Sequence, residues 1–406
     1  MLRYGGAAIP MRDDVTLLAG TAEPESTPWA PFDPRAVDFL ADLSAELRRD
    51  PATRRREAEA ALAFWCRPAH LEELARRHAA PLPRLGRGLV FHLAPANVPA
   101  LFTYTLATGL LSGNANVVRL SSRRAEGEAA LLAVLRRVLD RPEHAAVRAR
   151  TGLITYSRDS RITAAWCARC DARVVWGGDD TVAAVRAMPM PPHAVELCFP
   201  DRWSLAVLSR RAVSELDEDG MAELARRFYN DTYQMDQNAC SSPQLVLWLE
   251  DGGEETCRSR WWEAVAAQAA RRYPFGPFQT ARKLERLCLS AMTMQAPAVT
   301  RAERYGGNLV YVAELARPAG PLPPLKGGFG LFYQGTLGSM EELPPLLTPK
   351  VQTLVCGGVD PDQTAALLAR LGARGVDRVV PMGRALDFDT IWDGRDLIAC
   401  LSRVIG

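Results

Sequence analysis

The stretch that decides the fold runs from residue 88 to residue 120 and reads GLVFHLAPANVPALFTYTLATGLLSGNANVVRL. An apolar run at 88–93 is followed by a loop, a helical pattern at 100–111 and a second apolar run at 116–120. Two short apolar strands joined through a helix form a βαβ unit, whose parallel strands are covered on both faces. We therefore predict that a parallel sheet begins here.

The same stretch is the nearest thing in the chain to a membrane span, because residues 88–118 contain no Asp, Glu, Lys or Arg. Pro95 and Pro99 bracket Asn97 near its middle, and Gly113 interrupts its end. A single helix through lipid would leave backbone groups unpaired at these points. A buried strand, loop and helix explain the stretch better, and we predict no membrane span.

The alternation of strands and helices continues along the chain. Strands are predicted at 152–156, 173–176, 194–199, 204–208, 243–249 and 352–356, and helices at 125–139, 162–170, 180–188, 219–229, 254–272 and 361–371. Repeated crossovers favour an α/β fold, in which ligands bind outside the carboxyl ends of the strands. No G-x-G-x-x-G follows the first strand, which argues against the commonest dinucleotide-binding domain.

Composition and charge favour a soluble protein that acts on small molecules. The chain of 406 residues is long enough for two or three domains. Its 49 basic residues nearly balance 47 acidic ones, so neither nucleic acid nor an anionic membrane is expected as a partner. Residues 1–14 contain no continuous apolar segment, which predicts a cytoplasmic location without a secretory signal.

The cysteines and histidines do not suggest a disulfide framework or a metal site. Nine cysteines, an odd number, are scattered along the chain and are read as reduced thiols. Cys167 and Cys170 form a C-x-x-C without a second pair, and the histidines show no ligand spacing, so we predict no metal. The glycine-rich stretch 327–330 is interpreted as a loop, because no helical pattern follows it to complete a phosphate cradle.

Cys240 is the candidate nucleophile. It lies in the segment QNACSS at 237–242, directly before the predicted strand at 243–249. Amide and hydroxyl neighbours give a partly polar setting, which favours a reactive thiolate. A half-buried structural thiol is the alternative, since free cysteine is among the most buried residue types.

Asn97 is a candidate oxyanion donor. It follows the first predicted strand directly and stands between two prolines, so its amide would be held rigidly. A thiolate that attacks a thioester or an aldehyde generates an oxyanion, which a fixed N–H donor stabilises by about 3 kcal/mol. The alternative is an asparagine that only makes the turn between strand and helix.

These residues carry a family resemblance. The segments GLVFHLAPANVPA at 88–100, GNANVVRLSS at 113–122 and QNAC at 237–240 resemble, in order, the Pro-x-Asn-x-Pro turn, the Gly-Asn…Lys-Pro strand and the Gly-Gln-x-Cys nucleophile segment of the aldehyde dehydrogenase superfamily. With WDG at 392–394 and LSR at 401–403, the chain from about residue 84 onward is more particularly similar to the LuxC-type acyl-CoA reductases, the fatty acid reductase component of bacterial luminescence systems.

The resemblance implies an aldehyde dehydrogenase-like α/β fold and an NADPH-dependent acyl-CoA reductase. Cys240 would take the acyl group from a thioester, Asn97 would bind the oxyanion, and hydride from NADPH would release an aldehyde. An aldehyde dehydrogenase that forms an acid, or a non-redox acyltransferase or scaffold subunit, stays open as an alternative. The expected partners are acyl-CoA or an acyl-carrier protein, an acyl-loading enzyme and further copies of the chain.

The resemblance also implies a cofactor site. It would be formed by residues at or directly after the ends of the second and fourth predicted strands: Arg119, Ser122, Arg123, Gly177 and Gly178. Arg119 replaces the family's common Lys. Ser122 and Arg123 stand where members that prefer NAD often carry an acid, so a 2′-phosphate and hence NADPH are favoured. The alternative is that Arg123 and Arg124 only begin a solvated helix.

Glu196 resembles the glutamate of the superfamily's Glu-Leu-Gly-Gly-Lys motif, but Cys198-Phe199-Pro200 replaces the glycines. It is either a general base or a member of a structural ion pair. The predicted organisation is a helical lead-in at 1–80, an NAD(P)-binding domain at 81–202, a catalytic domain at 203–385 and a segment at 386–406 that packs or oligomerises.

Overall fold

The computed structural model describes residues 15–95, 98, 100–122, 127–157, 159–318 and 320–406. The chain divides into two compact units. The first comprises Met1–Pro200 together with Phe388–Gly406, and the second is Asp201–Asp387. Each unit is built around its own mostly parallel sheet with helices, as the sequence predicts for an α/β protein.

The first unit contains a six-stranded sheet. Its elements up to residue 200 are β1 Val15–Gly20, β2 Arg84–Gly86, β3 Leu89–Leu93, β4 Ala115–Leu120, β5 Thr151–Tyr156, β6 Ala172–Trp176 and β7 Val195–Phe199, with α1 Pro34–Arg49, α2 Glu57–Trp65, α3 Pro68–Arg77, α4 Leu101–Leu111, α5 Glu128–Leu139, α6 Ala145–Arg148, α7 Ser160–Cys167 and α8 Asp179–Arg186. The sheet order is β1-β5-β4-β3-β6-β7.

The predicted βαβ units are confirmed in this sheet. Strands β3 to β7 pair in parallel, and only β1 is antiparallel, beside β5. The uninterrupted apolar runs bury both faces: every residue of β3 and β6 is buried. Strand order reverses between β3 and β6, because the chain first adds β4 and β5 on one side and then β6 and β7 on the other. Such a switch point is where open α/β sheets bind ligands.

The residues before β2 contribute both an edge strand of the sheet and a helix that packs on it. Strand β1 pairs with β5, and α1 lays Phe39, Leu40 and Leu43 into the same apolar core as α4 and α5. The 3.6-residue spacing of its apolar side chains produces this amphipathic face. The residues predicted as a helical lead-in therefore belong to the first compact unit.

The second unit contains a seven-stranded sheet in the order β10-β11-β12-β9-β8-β13-β14. Its elements are β8 Trp203–Ser209, β9 Pro243–Leu249, β10 Val299–Tyr305, β11 Val310–Leu315, β12 Leu331–Leu337, β13 Val351–Gly357 and β14 Arg378–Pro381, with α9 Arg210–Ser214, α10 Glu218–Thr232, α11 Cys257–Arg272, α12 Pro277–Thr293 and α13 Pro361–Arg370. All pairs are parallel except β10 with β11. Helix α12 and strands β10 to β12 fill the part of the chain where the sequence pattern is irregular.

The C-terminal segment returns to the first unit. Its elements are β15 Ile391–Trp392, β16 Arg395–Asp396, α14 Leu397–Cys400 and β17 Ser402–Val404. Phe388, Trp392 and Ile398 join the core of the first unit, and β17 pairs with β2. Within the described residues, no helix is long and apolar enough to cross a membrane.

Candidate active site

Cys240 lies in the loop that enters β9, and its side chain is partly exposed. The loop begins after a short 3-10 turn at Tyr233–Met235. Asp236 and Gln237 follow with positive φ values of 52° and 59°, a left-handed conformation that side chains other than glycine rarely adopt. Such backbone persists only where the surroundings hold it.

Two buried glutamines hold this loop. The amide nitrogen of Gln237 donates to the carbonyls of Pro243 and Leu331, both at 3.0 Å, and its oxygen accepts from the amides of Gly328 and Gly330 at 3.1 and 3.3 Å. Gln244 donates to the carbonyl of Gln237 at 2.9 Å and accepts from the amide of Gly327 at 2.9 Å. The Cys240 loop is thereby fastened to the loop at 327–330.

The glycine-rich stretch 327–330 is a loop before β12, as predicted. Its four backbone amides point at the Cys240 loop or its own turn: three bond to the glutamines, and the amide of Phe329 donates to the carbonyl of Asp236 at 3.1 Å. These amides therefore help to position the Cys240 loop and are not available to bind a phosphate. Gly330 is required here, since its φ is +85° and an added Cβ would lie 2.2 Å from the carbonyl oxygen of Leu309.

The sulfur of Cys240 has a neutral hydrogen-bond donor. The side-chain nitrogen of Gln352 donates to Sγ at 3.3 Å. The carbonyl of Cys240 accepts from the hydroxyl of Ser204 at 2.7 Å, and that hydroxyl in turn accepts from the amide of Thr353 at 3.0 Å. Gln352, Ser204 and Thr353 are all buried. An N–H aimed at the sulfur favours its charged form, since hydrogen bonding to a charged group stabilises it.

Sequence reasoning missed Gln352 and Ser204. The available signal is a polar side chain inside an apolar strand, since Gln352 interrupts the run of β13 and Ser204 that of β8. The pattern does not say which loop these side chains meet, because the contacts span 112 and 36 positions of sequence.

The first unit contains a cavity at the carboxyl ends of its central strands. It has a volume of about 850 Å³ and opens where β3, β4, β5 and β6 end. Its lining includes four residues of the predicted cofactor site: Arg119, Ser122, Gly177 and Gly178. The cavity spans the point between β3 and β6 at which the strand order reverses, and open α/β sheets usually bind their ligands at such a point.

The start of α8 in this cavity is suited to a phosphate group. Gly178 is the N-cap, and no side chain caps the helix. An added Cβ at Gly178 would meet nothing within 4 Å, so the glycine leaves open space over the first turn. The backbone N–H groups of a helix's first turn and the helix dipole favour an anion. Asp179 and Asp180 in the first turn oppose this with negative charge.

The guanidinium of Arg119 lies at the ends of two strands. It donates to the carbonyl of Tyr156 at 3.3 Å and stands 5.2 Å from the centre of the tyrosine ring. Ser122 is exposed at the cavity wall. Asn97 and Arg123, which the sequence also assigns to the site, lie outside the described residues.

Glu196 on β7 is engaged in two ion pairs. Its carboxylate bonds to Arg173 and, at 2.7 Å, to the Nε of Arg186. Burial opposes the charge, but the hydrogen bonds from Arg186 and Arg173 outweigh it and hold the pKa of Glu196 below its usual range. A carboxylate neutralised by two guanidinium groups is a poor proton acceptor. Of the two alternatives for Glu196, the contacts support the structural ion pair.

Two other features of the described residues resemble sites. A cavity of about 720 Å³ lies at the carboxyl ends of β8, β9 and β13, the end of β9 opposite to Cys240. Its charged lining has both signs and selects no ligand charge: Arg211, Arg370, Glu215, Asp251 and Asp360. Asp42, Glu143 and His144 come close enough to share a metal ion, but the guanidinium of Arg141 lies 3.5 Å from the Asp42 carboxylate and competes with a cation.

Comparisons with known proteins agree on one family and one fold. Residues 45–292 match the family model described as Acyl-CoA reductase (LuxC). A curated relative, the long-chain acyl-protein thioester reductase of Vibrio harveyi, is 30% identical over 171 residues, which are 42% of this chain and 34% of the relative. The chain thus matches about a third of that relative's length.

Solved structures of aldehyde dehydrogenases share the fold. Aldehyde dehydrogenase 21 from Physcomitrella patens superimposes with a TM-score of 0.62 at 14% identity, over 91% of this chain and 85% of that one. Lactaldehyde dehydrogenase from Escherichia coli gives 0.58 at 15% identity, over 86% and 78%. The fold is aldehyde dehydrogenase-like, as the sequence predicts.

Replacing Glu196 with Gln tests the ion pair against the general base. Because Arg173 would keep a buried guanidinium with a weakened partner, we expect the first unit to lose about 3 kcal/mol of unfolding free energy. Urea unfolding, followed by the fluorescence of the buried tryptophans, measures the loss. Acyl transfer to Cys240 should persist in E196Q. A variant of unchanged stability that no longer accepts an acyl group would contradict this assignment.

Proposed function

This chain belongs to the acyl-CoA reductase (LuxC) family, and on that premise we propose that it reduces an acyl thioester to an aldehyde with NADPH. The reaction passes through an acyl-enzyme on Cys240. The observation that carries this proposal is the amide N–H of Gln352 at 3.3 Å from the sulfur of a partly exposed cysteine.

The thiolate of Cys240 attacks the carbonyl carbon of the thioester, and a new carbon–sulfur bond forms. The carbonyl oxygen becomes an oxyanion, for which Asn97 is the proposed donor. When the oxyanion collapses, the carbon–sulfur bond of the substrate thioester breaks, and the leaving thiolate takes a proton from solvent. The acyl group then rests on Cys240. A thiolate suits both steps because it is a good nucleophile and a good leaving group.

The residues of the first-unit cavity fit a nicotinamide dinucleotide. The start of α8 and the open space over Gly178 suit a pyrophosphate, and Arg119 would reach the ribose or phosphate at the end of β4. The bound cofactor supplies a hydride, which converts a thioester to an aldehyde and frees the thiolate. The chain's part is to bind and orient it at the switch point.

The choice of NADPH rests on the end of β4. Ser122 offers a hydroxyl to the cavity where a carboxylate would repel a 2′-phosphate. Arg123 is the proposed cationic partner of that phosphate. The two aspartates at the start of α8 do not distinguish the cofactors, since both contain the pyrophosphate.

Oxidation of an aldehyde to an acid is less well supported than reduction. Hydrolysis of an acyl-enzyme needs a base that activates water. Glu196 is the residue that the family pattern offers for this, and its carboxylate is held by Arg173 and Arg186. An acyl-enzyme without such a base survives long enough to be reduced.

The name of the curated relative points to a protein-bound acyl donor. We extend the proposal to acyl-CoA or an acyl-carrying protein as the donor, an enzyme that loads the acyl group, and a cytoplasmic setting. Each of these rests on family membership and not on a contact.

Replacing Cys240 with Ala should abolish acyl labelling. Intact mass spectrometry of the wild type after incubation with acyl thioesters should show one added acyl mass, and NADPH should remove it with release of an aldehyde. C240A should show neither. Cys400→Ala is the matched control, because Cys400 is also partly exposed. Labelling that persists in C240A, or a wild type that no thioester acylates, would overturn the proposal.

Replacing Ser122 with Glu should lower the catalytic efficiency with NADPH more than that with NADH. A carboxylate beside the 2′-phosphate should lower kcat/KM for NADPH at least about tenfold, equivalent to about 1.4 kcal/mol, and change that for NADH less. Ser157→Glu, at an exposed serine beyond β5 that does not line the cavity, serves as the control. Equal efficiency of the wild type with both cofactors would contradict the NADPH assignment.

A further inference from the structure

Helix α12, Pro277–Thr293, buries a charged residue and exposes most of its large apolar residues. Lys283 is its only buried residue. Four large apolar side chains of this helix are exposed: Phe278 by 65%, Leu284 by 48%, Leu289 by 59% and Met292 by 82%. They make up four of the ten large exposed apolar side chains among the described residues, so the exposure is concentrated on one helix.

The inner side of α12 is polar because it anchors neighbouring loops. Lys283 donates to the carbonyls of Asn308 and Leu309, the latter at 3.2 Å, and its burial lowers its pKa to about 7. Arg286 donates to the carbonyl of Gly327. Ser290 shares a hydrogen bond of 2.6 Å with the hydroxyl of Tyr333. The inner side of the helix is thus used largely for hydrogen bonds, and Leu287 adds a partly buried apolar contact.

The outer side of α12 has the spacing of a helix-pairing seam. Phe278, Ala281, Glu285, Cys288 and Met292 are separated alternately by three and four residues. This is the heptad spacing of helices that pack along their length. Leu284 and Leu289 flank the seam, and all seven residues are exposed. A solvated helix would carry polar residues there.

One charge pair interrupts this apolar seam. Arg282 and Glu285 form an exposed ion pair of 2.7 Å within the helix. In a parallel pairing of two copies, Glu285 would face Glu285 and repel it. In an antiparallel pairing centred on residue 283, Phe278 faces Cys288 and Ala281 faces Glu285, which sets the Glu285 of each copy beside the Arg282 of the other. The seam is therefore complementary to itself in one orientation.

We propose that the outer face of α12 is an isologous interface with a second copy of this chain, in which two α12 helices pack antiparallel. The apolar seam would provide the burial, and the exchanged Arg282–Glu285 pairs would fix orientation and register. A single polar residue in an apolar seam is a known means of selecting register. The interface does not involve the acyl-transfer chemistry and is tested without it.

Analytical ultracentrifugation over a range of concentrations tests this interface. The wild type should form a dimer of twice the chain mass of 44.5 kDa. The double variant Leu284→Lys/Leu289→Lys should raise the dimer dissociation constant at least about 100-fold, because it charges both flanks of the seam and sets the lysine introduced at position 284 of one copy opposite Arg282 of the other. Leu371→Lys, at an exposed leucine after α13, should leave it unchanged.

A charge swap and a crosslink separate the proposed register from a general loss of apolar surface. Arg282→Glu and Glu285→Arg should each raise the dissociation constant about tenfold, and the two together should restore it to within about threefold. Oxidised Phe278→Cys should form a covalent dimer through Cys288, and Phe278→Cys/Cys288→Ser should not. A monomeric wild type, or an assembly of any size that both the lysine variant and the charge variants leave unchanged, would overturn the proposal.

Discussion

The side-chain amide of Gln237 is the constraint on which the arrangement around Cys240 depends. Two consecutive residues, Asp236 and Gln237, hold left-handed backbone, which costs about 1–3 kcal/mol each. The four hydrogen bonds of the amide join the start of β9, the end of the glycine-rich loop and the start of β12. At about 1 kcal/mol each, and with no buried donor left unpaired, these bonds offset the strain. The loop therefore presents Cys240 in one conformation.

The same loop is supported from two further sides. Arg286 of α12 bonds to Gly327 and lies over the ring of Phe329, and Gln352 of β13 reaches the sulfur itself. The polar inner side of α12 thus holds the loop at 327–330, to which the Cys240 loop is fastened. Gln352, a polar residue within the apolar run of β13, contacts Cys240 directly. The large apolar residues of α12 lie on its outer side.

Most of the elements that the sequence predicted have apolar runs buried on both faces, whereas β11 and β12 are also largely buried and were not predicted. Strands β3 to β7 and the helices between them follow this pattern, and so do β8, β9 and β13. Helix α12 was not predicted because its buried residue is a lysine. Strand β10 was not predicted because most of its residues are solvent-exposed at the sheet edge. Pattern reading assumes that apolar residues point inward, and both elements break that assumption.

Only those parts of the candidate site that leave a local signal in the sequence could be predicted. Local sequence and family resemblance indicated Cys240, and strand ends indicated the residues that line the cavity of the first unit. Gln352 and Ser204 act across long separations in sequence, and only the sheet order brings them to Cys240. For Glu196 the motif offered two roles, and the choice needed Arg173 and Arg186, whose positions no local pattern encodes.

The neutral amide of Gln352 is expected to stabilise the charged form of the Cys240 sulfur. The most direct measurement is the rate of Cys240 alkylation by iodoacetamide as a function of pH, followed by mass spectrometry, in the wild type and in Gln352→Met. A hydrogen bond to a charged group contributes about 1.5 kcal/mol, so the midpoint of the profile should move up by about one pH unit in the variant. Superimposable profiles of the wild type and the variant would show that the amide of Gln352 does not stabilise the thiolate.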